Sequence, residues 1–162
     1  MRCLLQIPHI FLIKGEITMK IQNIHFKNNA HSERYQELMK NMLHDNVYYR
    51  SVAYLIALND DCYRNMSSIF NIEKGRIILE GVNEGWQTSS SLRVTRLIYN
   101  LWNGYCYSEC ESEDPTPSSD YTVSEIFYDS DSRYFFEAIK IRYPEHFRYI
   151  NLEERTVQIR ND

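Results

Sequence analysis

The sequence predicts a mainly α fold: a compact, single-domain helical bundle with minor extended segments. Apolar residues recur at helical spacing in five stretches, near 32–43, 47–59, 60–70, 91–102 and 131–142. The chain has 162 residues, 43% of them hydrophobic and 25% charged. That is the size and composition of one soluble domain with a real core, and it argues against disorder and against a membrane protein. Stop signals close two of the stretches, Asn103-Gly104 after the fourth and Pro144 after the fifth.

Residues 1–18 are read apart from the domain at 19–162. Lys14-Gly15-Glu16 can be encoded AAA-GGA-GAA, which contains the purine-rich ribosome-binding sequence of bacterial messengers, and Met19 follows at a spacing that suits a start. The preceding apolar run is broken by Gln6, Pro8 and His9, a poor signal peptide and too short to span a bilayer. The competing reading is a genuine N-terminal element that docks on the domain.

KIQNIHF is an extended lead-in. In the first helix Ser32 is the predicted cap, Glu33 suits the positive end of the dipole, and Tyr35, Leu38, Met39 and Met42 share a face. VYYRSVAYLIALN, apolar almost all round, is the central helix. DDCYRNMSSIFN has an acidic first turn and an apolar set of Cys62, Met66, Ile69 and Phe70. Gly75, Gly81 and Gly85 exclude a long helix next, leaving a turn at 73–75 and an extended or short helical RIILEGV. Serines cap a helix whose stripe is Val94, Leu97, Ile98 and Leu101. A surface loop at about 105–120 contains ESEDPTPSSD, whose prolines and like charges build no packed element. A short helix from Ser124, a last helix through Tyr134, Phe135, Ala138, Ile139 and Arg142, and a weak strand or frayed tail complete the chain.

Charge is unevenly placed. The formal net charge is -4, yet residues 105–132 contain Glu109, Glu111, Glu113, Asp114, Asp120, Glu125, Asp129 and Asp131 with no Lys or Arg. Glu109, Glu111, Glu113 and Asp114 are the candidate partner-binding residues. Thirteen tyrosines suit half-buried core positions and protein-binding surfaces alike.

Arg93, Arg96, Asn100 and Asn103 are spaced three, four and three, so two guanidinium groups and two amides share one side of a helix. With Trp86 and Thr88 just before it, Trp86, Thr88, Arg93, Arg96 and Asn100 form a candidate ligand-binding set, since Arg grips phosphate or carboxylate bidentately. The competing reading pairs the arginines with nearby acids and makes Trp86 a core plug. Cys106 and Cys110 lack a second metal-binding pair, and the carboxylates of DSDS are better explained by helix capping. No metalloprotease, phosphate-loop or nucleophile-elbow motif occurs, so no catalytic residue, metal or cofactor is assigned. The four cysteines read as free thiols of a reducing cytoplasm.

GWQTS at 85–89, RLIYNLWNG at 96–104 and IKIRYPEHF at 139–147 together resemble a family of small uncharacterised proteins of Gram-positive bacteria, their phages and conjugative elements. The resemblance runs from about Phe26 to Phe147. It implies no catalytic residues, but it implies an accessory role in a mobile element. The leading expectation is therefore a non-catalytic protein-binding role, including an anti-CRISPR-like antagonist of a host defence nuclease, with the acidic face imitating phosphate charge. The alternatives are nucleotide or nucleic-acid binding through Arg93 and Arg96, and an enzyme with an unrecognised site. The acidic balance argues against autonomous DNA binding.

Overall fold

The computed structural model describes residues 24–108 and 116–147. Within them the chain is mainly α, as the periodicity predicts, with six α-helices and one two-stranded ribbon. The expectations for residues 1–18, for Glu109, Glu111, Glu113 and Asp114, and for the tail after Phe147 fall outside the described residues.

The central helix is α2 (Val47–Leu58), with nine of its 12 residues buried. A helix apolar on every side stays out of water only if other elements surround it. Here α1 (Asn29–Asn41), α4 (Ser89–Asn103) and α6 (Ser132–Arg142) pack around it. Each Leu or Ile that it removes from water contributes roughly 2 kcal/mol.

Asparagines cap the first three helices. The Asn28 side chain accepts from the His31 N–H at 2.9 Å, Asn46 accepts from Tyr48 and Tyr49, and Asn59 accepts from Asp61 and Cys62 at the start of α3 (Asp60–Arg64). The cap of α1 is thus Asn28 rather than Ser32. The chain is already anchored there by Phe26, whose ring packs on His31, Tyr35 and Tyr54, so the first turn begins earlier than the apolar stripe.

The helix expected over 60–70 is also corrected. It ends at Arg64, a 3₁₀ turn follows at Met66–Ser68, and Phe70 enters the ribbon. Asn65 and Ser68 compete for backbone groups, the first donating to the Asp61 carbonyl and the second to the Asn65 carbonyl. The ribbon pairs β1 (Phe70–Asn71) with β2 (Arg76–Ile77) antiparallel, in the register Phe70 to Ile77 and Asn71 to Arg76. Gly75, at φ +57°, makes the turn between them, and a 3₁₀ segment runs over Leu79–Asn83. No strand forms over residues 24–26, the described part of the lead-in.

A reciprocal box starts α4: Thr88 accepts from the Ser91 N–H, and the Ser91 hydroxyl accepts from the Thr88 N–H. Gln87 buttresses it, accepting from the Ser91 hydroxyl at 2.7 Å and donating to the Gly81 carbonyl at 2.8 Å. Gly104, at φ +77°, ends the helix by donating to the Asn100 carbonyl. Thr88→Ala is expected to lower the unfolding free energy by about 1 kcal/mol in a urea titration, with Thr88→Ser close to the parent.

Two tyrosines show how the core uses this residue type. Tyr54 and Tyr99 are wholly buried, yet their hydroxyls donate to the carbonyls of His25 and Ile78. Two seams then close the bundle. At one end, the Arg142 guanidinium lies 3.4 Å from the Tyr48 ring centroid and donates to the Leu101 carbonyl, joining α2, α4 and α6. At the other, the His25 N–H donates to the Glu137 carboxylate at 3.3 Å and Lys27 pairs with Asp131 at 2.7 Å.

Candidate functional site

The arginine stripe forms on α4 as the spacing predicts, and the structure gives each arginine an internal partner. Arg96 pairs with Asp120 at 2.7 Å. Arg93 donates to the carbonyls of Glu125 (3.0 Å) and Ser89 (3.2 Å), with Asp129 at 4.0 Å. Both clamp the segment around α5 (Val123–Ile126) onto α4. Asn100 is half-buried near the end of the helix, and the Asn103 side chain accepts from the Tyr105 N–H. Trp86 packs half-buried against the core, and Thr88 is the helix cap. The five residues are neighbours along one helix and the turn before it, and both arginines pair within the chain, although the buried Arg96 Nε has no hydrogen-bond partner.

A polar cleft of about 410 Å³ lies where the N-termini of α1, α3, α4 and α6 meet, lined in part by Lys27, His31, Arg34, Asp60, Ser90 and Asp131. Its charges are matched: Lys27 with Asp131, and Arg34 with Asp60. His31 forms its wall, with both ring nitrogens in use. Nδ1 accepts from the Lys27 N–H at 3.2 Å, and Nε2 faces the Tyr54 carbonyl at 2.9 Å, which fixes the proton on Nε2. Burial pushes the imidazole down to about 4. A neutral ring with no free nitrogen holds structure together and moves no proton.

Burial likewise pushes the Cys62 thiol up to about 12, so it is a packed thiol and no nucleophile. Among the described residues no group of three or more His, Cys, Asp or Glu is placed to hold a metal ion.

Among the described residues, the large apolar side chains left most exposed lie on and after α5 and on α6. Val123, Tyr128 and Phe136 are 73%, 79% and 58% exposed. Phe127 joins them: its N–H bonds to the Val123 carbonyl one turn back, and its ring centroid lies 4.7 Å from Phe136 and 5.7 Å from buried Phe135. Tyr128 sits over the Arg93 guanidinium at 5.6 Å. Sequence reasoning missed this patch, although a signal was there. Adjacent helical residues point about 100° apart, so once Phe135 is assigned to the core stripe, Phe136 faces outward.

No helix among the described residues is long and apolar enough to cross a membrane. A protein-family model, "Family of unknown function (DUF6075)", matches residues 21–155. No curated protein and no solved structure matches the chain.

Proposed function

Because the chain belongs to this family of unknown function, DUF6075, its role has to be argued from its own surface, and we propose that it is a non-catalytic protein-binding module. The observation that carries the reading is the patch of exposed Val123, Tyr128 and Phe136, joined by half-buried Phe127, beside Arg93. Clustered apolar side chains left in water are the usual mark of a contact surface, and aromatic residues with Arg carry most of the energy in such contacts. The α4 arginines, by contrast, are engaged within the chain, which weighs against a nucleotide grip.

The resemblance to proteins of mobile elements supports a finer proposal: an accessory role in the cytoplasm, with a host defence nuclease as partner. The acidic residues Glu109, Glu111, Glu113 and Asp114 would contribute charge that imitates a nucleic acid.

The test is affinity capture from extracts of a host that carries a nuclease-based defence. Phe136→Asp should reduce recovery of the protein partner at least ten-fold, equivalent to about 1.4 kcal/mol, with the melting temperature nearly unchanged because the site is exposed. Asn100→Ala, a change in the α4 stripe outside the α5 clamp, should recover the partner as well as the parent does. Equal capture by parent and Phe136→Asp would overturn the assignment. Recovery of nucleic acid that disappears with Arg96→Ala would favour the arginine stripe instead.

A further inference from the structure

We infer that the outward face of α6, together with the Val123–Tyr128 segment, docks a segment of a partner protein in which an apolar anchor is flanked by carboxylates. This rests on the protein-binding reading and adds the chemistry of the partner.

The sequence of α6 alternates two duties. Tyr134, Phe135, Ala138 and Ile141 are buried, while Arg133, Phe136 and Lys140 are exposed and lie three and four residues apart, along one side of the helix. The outward face therefore places Phe136 between Arg133 and a lysine, Lys140, that is paired with Glu137 at 2.8 Å. The one carboxylate of α6, Glu137, is withdrawn from it: only 8% exposed, it accepts from the His25 N–H and from the Lys140 ammonium. The Lys140 side chain is still 46% exposed. Among the described residues Arg133 has no carboxylate partner, and its guanidinium rests 4.7 Å from the Tyr134 ring centroid.

These cations stand out on a chain of formal net charge -4. An exposed carboxylate on the α5 side, Glu125, would repel an acidic flank there and so directs it over α6. Three occupants can be compared on this charge pattern. A nucleic acid gains affinity by having many phosphates neutralised, and two surface cations on an acidic chain supply few. A second copy related by a two-fold axis through Phe136 would set the Arg133 and Lys140 strip against itself. An apolar segment with an acidic flank satisfies both parts of the face, the rings by burial and Arg133, the cation without a carboxylate partner among the described residues, by charge; Lys140 already pairs with Glu137.

Fluorescence anisotropy on the full chain tests this with defined probes. One is a labelled amphipathic helical peptide carrying Phe and Leu at i, i+3, i+4 and i+7 with Glu flanks. The second has Lys in place of Glu, and the third is a single-stranded oligonucleotide. The Glu-flanked peptide should bind at least ten-fold tighter than the other two. Phe136→Ala should weaken it about ten-fold, and Arg133→Glu with Lys140→Glu should reverse the preference between the peptides.

Equal binding of the two peptides, no binding of either, or indifference to the charge reversal would overturn the inference. So would tighter binding of the oligonucleotide, or a dimer in sedimentation that Phe136→Ala dissolves. If Phe136→Asp abolishes capture of a host protein while the charge reversal changes nothing, the protein-binding reading stands and the acidic chemistry falls. If neither Phe136 variant affects capture or peptide binding, both fall.

Discussion

Gly81→Ala is expected to destabilise the fold by about 3 kcal/mol, a fall of roughly 10 °C in melting temperature for a domain of this size. The residue is buried in the 3₁₀ segment after the ribbon. A methyl group there would overlap the Ser68 carbonyl oxygen and come within 2.8 Å of the Ile69 side chain and the Tyr99 hydroxyl. None of these can move aside cheaply. Ser68 is backbone, Ile69 and Tyr99 are wholly buried, and the Tyr99 hydroxyl is engaged with the Ile78 carbonyl. The carbonyl of Gly81 also accepts from Gln87, so displacement of the segment would disturb the buttress of α4. Gly85 is the control, since a methyl group there meets nothing within 4 Å. Thermal melts of the two variants check the claim, and a Gly81→Ala protein that melts with the parent would show that the segment does not press on residues 68–69.

Acid should destabilise the protein through His31. Burial is the main cause of its lowered pKa, with smaller contributions from Lys27 and Arg34, opposed by the Tyr54 carbonyl and Asp131. The folded value, about 4, lies below the ordinary 6.5, so between them the unfolded chain binds more protons than the native one, and stability rises with pH. The contribution is fully present above pH 6.5 and is lost as pH falls toward 4, by up to roughly 3 kcal/mol at 1.36 kcal/mol per pH unit. Protonation would also place an N–H where Nδ1 now accepts from Lys27, setting donor against donor. The carboxyls of Asp45 and Asp60 are held below their ordinary 3.8 by hydrogen bonds from Arg50 and Arg34; their contribution is present above 3.8 and lost below it, in a separate window. Urea titrations across pH 7 to 4 measure the effect. In His31→Gln, less stable at pH 7, the slope between 6.5 and 4 should disappear. A parent protein of constant stability over that range would refute the account.

What the sequence reveals here follows from the range of each interaction. The courses of α1, α2, α4 and α6 were legible because burial of Leu38, Val52, Leu97 or Ala138 is set by local periodicity. The sequence pattern extends the third helix too far because Cys62, Ile69 and Phe70 are all core residues, although the last two reach the core from a turn and a strand. Caps are ambiguous wherever Asn and Ser crowd together, as at Asn28 and Ser32. The arginine stripe was legible as geometry, but its occupant was not: Asp120 lies 24 residues from Arg96, and nothing local pairs them. Phe136 escaped notice for the opposite reason. A ring at an outward position is visible only after the inward face has been fixed.

The seam between His25 and Glu137 joins residues 112 apart in the chain, which makes it a late contact for an emerging chain. Nearly the whole fold has to be synthesised before that contact exists, and its loop-closure entropy is met only when the rest of the bundle is in place. On the ribosome, α1 through α4 would emerge with the face of α2 that receives α6 still uncovered. The interval before α6 arrives is therefore when the chain is most exposed to aggregation and proteolysis, and closure of the seam marks the end of that vulnerability.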